Sequence, residues 1–255
     1  MDKGLIGFND YNSGAIHVTN YGCAEFPLVR AFESIGFTYT KFNLSRRFPN
    51  LSFRDPDSIH FDAESTDEGA NQVSFPQVPF SKHRYTKVLQ TSSHQKFFFV
   101  RNPWDRLVSV YVKLLSMFEG IETSGRVKFH LNPMYYRFKR VRKAFFGTSA
   151  IDSSMFDFKS FVNLVLWHGN PHWGLQTEAA MHPIDRFSLI GRYESIQSDF
   201  DTIVDIVARF KNKRYVFLKI PDEPYDDYRD FYDDTTKDLI YLKYKEDIEN
   251  FNYEF

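Results

Sequence analysis

Residues 96–111, KFFFVRNPWDRLVSVY, constrain the chain more than any other stretch. Phe97, Phe98 and Phe99 in succession leave no polar face, so residues 96–100 are predicted to form a short strand buried on both sides, as strands are inside a parallel sheet covered by helices. A helix start follows at once. Asn102 has an N-cap side chain, Pro103 suits the first helical position, and Asp105 sets its charge near the positive end of the helix dipole. Leu107, Tyr111, Leu114, Leu115 and Phe118 then fall on one apolar stripe. A two-sided strand running directly into a helix implies an α/β architecture.

The flanking chain repeats that alternation. A strand is predicted over residues 15–19, followed by the loop Asn20-Tyr21-Gly22-Cys23 and by a helix through Phe26, Val29, Phe32 and Ile35 that Gly36 stops. Residues 37–42 read as a strand. Further helices are predicted over 156–167, 198–210 and 236–251, with short strands at 187–190 and 215–218. Residues 44–79 are rich in Pro, Ser, Asp and Asn without a sustained period and read as an irregular insertion. No repeat and no linker divides the chain, so residues 1–255 are expected to form a single α/β domain, a central, mostly parallel sheet flanked by helices. A chain of 255 residues can bury about three quarters of its unfolded surface.

Composition narrows the function classes. Hydrophobic residues at 42% and charged residues at 25% exclude collagen-like, disordered and disulfide-scaffold proteins. A net charge of -1 provides no field for holding nucleic acid or an acidic membrane. The charges are segregated, however. Residues 123–151 contain no acid, and Arg126, Lys128, Arg137, Lys139, Arg140, Arg142 and Lys143 alternate there with Phe129, Tyr135, Tyr136 and Phe138. This is either a surface for an anionic saccharide or a solvated helix face. The tail from Asp222 is acidic, and its carboxylates read as a solvated face.

One cysteine, Cys23, forbids an internal disulfide and a Cys-rich zinc site. His168 and His172 are separated by Gly169 and Pro171, which break the helix that shared metal ligation would need, so no metal is expected. There is no apolar run of about 18–20 residues to span a bilayer and no apolar leader, so the expected location is cytoplasmic. Walker A, G-x-G and nucleophile-elbow glycine spacings are all missing.

At about 100° per residue, Ser109 lies opposite the apolar stripe and shares a helix face with Asn102 and Asp105. Arg101, at the strand's C-terminal end, precedes a helix N-terminus whose N–H groups and dipole attract anions. Arg101 by two parallel bonds and Ser109 by one are suited to grip a phosphate; the plainer alternative is a surface ion pair and a wet serine.

Residues 100–111, VRNPWDRLVSVY, closely resemble the 3′-phosphate-binding segment of the carbohydrate sulfotransferases, the family that includes the chondroitin and heparan sulfate enzymes. Residues 170–176, NPHWGLQ, and 189–199, LIGRYESIQSD, resemble later segments of that family in the same order, as do Tyr244, Asp247, Ile248, Phe251 and Tyr253 near the C-terminus. The resemblance implies a nucleotide-kinase-like sulfotransferase fold. It also implies the donor 3′-phosphoadenosine-5′-phosphosulfate (PAPS), no metal, and a hydroxyl on a carbohydrate acceptor.

By the same resemblance Arg101 and Ser109 hold the donor's 3′-phosphate, and the loop Asn20, Tyr21, Gly22, Cys23 and Ala24 wraps its 5′-phosphosulfate. This loop departs from the family pattern: Asn20 stands at the position of a lysine, and Ala24 and Glu25 stand at hydroxyl positions. A cation there would stabilise the charge that grows on the leaving phosphate, and Asn20 brings none. His172, in the family-like segment, is the candidate general base; His83 is its rival, and His94 lies in the same upstream region. Two other readings stand beside transfer: a catalytically degenerate relative that binds nucleotide or glycan, and an interaction scaffold.

Overall fold

Side chains alternate between the two faces of a strand, so three consecutive phenylalanines need apolar cover on both sides. In the computed structural model, which describes residues 3–8, 14–43, 94–124, 157–170, 172–211 and 225–255, they have it. Phe97 and Phe99 join one core and Phe98 and Val100 another, each of them at most 1% exposed.

Among the described residues the sheet has five strands: β1 (Lys3–Phe8), β2 (Ala15–Val18), β3 (Thr38–Asn43), β4 (Gln95–Val100) and β5 (Leu189–Arg192), in the order β3-β1-β2-β4-β5. The strands β2, β4 and β5 are parallel, with His17 opposite Phe97 and Phe99 opposite Gly191. The strand β1 extends this set antiparallel to both β2 and β3. The α/β domain with parallel strands flanked by helices is thus as expected, whereas β1 was not foreseen, because Gly4 and Gly7 dilute its strand signal.

Among the described residues the α-helices are α1 (Glu25–Ser34), α2 (Pro103–Ser124), α3 (Phe158–Trp167), α4 (Gln176–Ala180), α5 (Ile196–Lys211) and α6 (Asp234–Phe251). Leu28, Val29 and Phe32 of α1 and Phe200, Ile203 and Val207 of α5 cover the Phe97/Phe99 face. Ala179 and Ala180 of α4, with Phe251 and Tyr253, cover the other. A third cluster binds α2, α3 and α6 together through Leu107, Tyr111, Phe161, Val165, Ile240 and Tyr244.

Gly36 ends α1 as expected: at φ +88° it lets its own N–H bond to Glu33 O and that of Phe37 bond to Phe32 O, while the Phe37 and Phe32 rings pack at 4.8 Å. Gly191 is needed for a different reason. A Cβ there would lie 2.4 Å from the Phe99 ring, so the ring occupies the space that a side chain on β5 would take.

Several expectations fall outside the described residues: the 44–79 insertion, the basic stretch 126–143, the strand at 215–218, and His83. Among the described residues no helix is long and apolar enough to cross a membrane.

Under α1, the ring of His17 stacks on Phe32 at 4.0 Å, and its Nδ1 lies 2.6 Å from the Tyr39 hydroxyl. Burial lowers its pKa from 6.5 to about 3, so the folded protein keeps it neutral where the unfolded chain takes up a proton. The stability this contributes is complete above pH 6.5 and is lost as pH falls toward 3. The slope is about 1.4 kcal/mol per pH unit. Urea unfolding of the native protein should therefore lose stability between pH 6.5 and 5 more steeply than that of His17→Phe; equal slopes would contradict this assignment.

Candidate functional site

The parallel strands β2 and β4 end side by side, and the chain leaves each toward the same edge of the sheet, the position where open α/β sheets bind ligands. After β2 the chain runs through Thr19 and Asn20, both buried, to Gly22 at φ +79° and Ala24 at φ 49°. Glycine is favoured at position 22 by the positive φ, and an added Cβ would also press on the Arg106 side chain, 3.1 Å from its Cγ. Arg106 runs beneath this loop and holds it, donating from Nε to Tyr21 O (2.9 Å) and from Nη1 to Gly174 O (2.9 Å).

The loop delivers the chain into α1, whose N-cap is Ala24. Ala24 has no side chain with which to cap, and Pro27 in the first turn has no N–H. By contrast, Asp157 caps α3 and Asp233 caps α6. The first N–H groups of α1, which begins at Glu25, thus receive no hydrogen bond from the side chain at its N-cap.

The N-terminus of α2, the anion seat expected from the sequence, is filled by the protein itself. Trp104 N donates to Asn102 Oδ1 (3.0 Å), which confirms Asn102 as the cap, and Asn102 N donates to Glu194 Oε1 (2.7 Å). The Asn102 amide also donates to Glu254 O (2.8 Å), binding the C-terminus to this junction.

Arg101 is likewise engaged. It is 1% exposed, and its fork closes on Asp105, with Nε to Oδ2 at 2.7 Å and Nη2 to Oδ1 at 3.0 Å. The Tyr225 hydroxyl accepts from Nη2 (2.7 Å) and donates to Asp105 Oδ1 (2.6 Å), while the Tyr193 ring lies 4.0 Å from the guanidinium carbon. The two parallel bonds offered to a phosphate in the sequence reading are thus made to Asp105, one helical turn away, and it is Nη1 that turns to the loop, 3.4 Å from Gly22 O. Ser109 follows Asp105 by one further turn and is half-buried.

Asn20, the residue at the expected lysine position, turns its amide donor into the protein. Its Nδ2 points inward, to Gln176 Oε1 (2.9 Å), Phe99 O (3.0 Å) and Cys23 Sγ (3.1 Å), and so ties the loop to the end of β4. Cys23 Sγ donates to the same Gln176 oxygen (3.3 Å). Burial pushes the Cys23 thiol up to about 12, although Arg106 and Arg101 beside it pull the other way.

His172 is brought to the loop: its ring packs edge-on against Tyr21 at 4.8 Å, and its backbone N–H donates to Asn170 Oδ1 (3.0 Å). His94 is not, because it precedes β4, at the opposite end of that strand from Arg101. α3 ends at Trp167, so His168 and His172 share no helix, and among the described residues no three His, Cys, Asp or Glu side chains gather as a metal site.

Sequence reasoning missed Arg106, Gln176, Glu194, Tyr193 and Tyr225. The first four lie within or beside the quoted motifs, but nothing in the sequence says that Gln176 reaches β4. Asp247 corrects the reading of the acidic tail. It is 0% exposed and accepts from Gln176 N (2.7 Å) and Thr177 N (2.8 Å), capping α4.

The buried, high-pKa thiol yields a clean check, since Cys23 is the one cysteine in the chain. Iodoacetamide at pH 8 should leave the folded protein unmodified and alkylate it completely in urea; rapid labelling of the folded form would contradict this packing.

A model described as the Sulfotransferase family matches residues 32–254. That span includes Arg101, Ser109 and His172 but not the Asn20–Ala24 loop. No curated protein and no solved structure matches the chain at a significant level.

Proposed function

Because the chain belongs to the sulfotransferase family, whose members transfer sulfuryl groups from PAPS, we propose that it passes this group to a hydroxyl of a carbohydrate acceptor. The observation that carries the reading is the contact of Arg101 Nη1 with Gly22 O at 3.4 Å, which brings the guanidinium against the β2–α1 loop. The resemblance of residues 100–111 and 170–176 to carbohydrate enzymes supports the acceptor class, as does the basic, ring-rich sequence of residues 126–143.

In this reading the donor is held by the following residues. Arg101, its plane fixed by Asp105 and Tyr193, and Ser109 on the same helix face hold the 3′-phosphate. The curled backbone of Tyr21, Gly22, Cys23 and Ala24, together with the uncapped end of α1, cradles the 5′ end. Charge there comes from Arg106 beneath the loop in place of the missing lysine. His172, against Tyr21, takes the acceptor's proton as the acceptor oxygen bonds to sulfur. The bond from sulfur to the bridging phosphate oxygen breaks, and its electron pair leaves with adenosine 3′,5′-bisphosphate.

The inward turn of Asn20 favours a second reading, a relative that binds the nucleotide without transferring its sulfuryl group. Calorimetry and turnover separate the two. Adenosine 3′,5′-bisphosphate should bind the native protein and lose roughly tenfold or more of its affinity in Arg101→Ala, the effect of one charge-assisted contact. His172→Gln should bind the nucleotide as the native protein does and lose transfer. Binding without transfer in the native protein would establish the second reading, and no binding would remove both.

A further inference from the structure

We infer that Gln176 is a positioning residue that sets the register between the two halves of the donor site, the β2–α1 loop and the end of β4. The inference rests on the proposed reading that the donor spans both halves. Gln176 opens α4 and is 0% exposed. Its Nε2 donates to Arg101 O (2.8 Å) and its Oε1 accepts from Arg101 N (3.0 Å), so one carboxamide pairs with both backbone groups of Arg101, much as a neighbouring strand would. This pairing begins just after β4 ends at Val100, and it fixes the backbone from which the Arg101 side chain leaves.

The same Oε1 accepts from Asn20 Nδ2 (2.9 Å) and from Cys23 Sγ (3.3 Å), so a single oxygen joins the loop to the Arg101 backbone. The orientation of the amide is not open to choice, since the Arg101 N–H can only donate and its carbonyl can only accept. Asn20 follows from that: reversing its amide would set Oδ1 against the Gln176 and Phe99 oxygens. Gln176 is itself anchored from behind by the Asp247 carboxylate at 2.7 Å from its N–H. A glutamate carboxylate lacks the donor for Arg101 O, and an apolar residue removes the one acceptor that Arg101 N, Asn20 Nδ2 and Cys23 Sγ share.

A register device has a signature that ordinary core packing lacks. It should favour a ligand held at both ends over a ligand held at one end, because fixing the spacing makes the second contact effectively intramolecular. The test is calorimetry with adenosine 3′,5′-bisphosphate, adenosine 3′-monophosphate and adenosine 5′-monophosphate on the native protein, Gln176→Met and Asn20→Ala. In Gln176→Met the bisphosphate should lose about tenfold or more in affinity while each monophosphate changes by less than about twofold.

Equal losses for all three nucleotides, or no loss for any, would overturn the inference. If Gln176→Met shows no cooperative thermal transition, Asn20→Ala decides, since it removes the shorter of the two loop contacts to Gln176, leaving that of Cys23, and keeps the Arg101 backbone paired. The same selective loss is then expected, and an unchanged ratio of bisphosphate to monophosphate affinity overturns the inference. A native protein that binds none of the three removes the donor-site reading itself, an outcome distinct from native binding that Gln176 does not modulate.

Discussion

Burial of β4 on both faces is the constraint from which the rest follows. A strand with Phe97, Phe98 and Phe99 in succession needs helices on each side, and α1 with α5 on one face and α4 with the end of α6 on the other supply them. The consequence falls at the strand's C-terminal end. There the chain must leave a dry interior while still carrying backbone donors and acceptors, and it does so at Arg101 and Asn102, both buried and polar. With β4 covered on both faces, the polar groups gather at its C-terminal end.

Most of the buried polar groups at that end are held by one another, Asn20 Oδ1 being one that is not. Three carboxylates each serve a separate need: Asp105 holds the Arg101 guanidinium, Glu194 accepts from Asn102 N, and Asp247 caps α4. Burial raises the pKa of Asp247, while the N–H groups of Gln176 and Thr177 and the charge of Arg106 offset part of that rise. Arg106 has its own anchors in the carbonyls of Tyr21 and Gly174. The polar junction is therefore preorganised, with the Arg101 plane set by Asp105, Tyr225 and Tyr193. Such rigidity suits a reaction in which the protein contributes mainly position and fixed charge.

Much of this was legible in the sequence, for physical reasons that differ by element. The strand and helix of residues 96–111 were readable because local signals agree: a two-faced apolar run, an N-cap asparagine, a proline at the first helical position, and an apolar stripe. The end of α1 was readable because only a left-handed residue makes that turn, and Gly36 makes it. By contrast β1 is a short strand carrying two glycines, stabilised by pairing on both sides, which no local pattern reveals. The site was half legible. Arg101, Gly22 and His172 do converge on one edge, but the sequence could not show that Asp105 takes the Arg101 fork or that Asn20 faces inward. Those outcomes depend on partners 4 to 156 residues distant along the chain.

The central claim is that one nucleotide lies across the β2–α1 loop and the junction of β4 with α2. Amide hydrogen exchange with and without adenosine 3′,5′-bisphosphate addresses it most directly. The account predicts slowed exchange in peptides covering residues 19–26 and 101–110 together, with β1 and the outer turns of α5 unchanged. Protection confined to one of the two segments, or spread evenly over the whole chain, would contradict it.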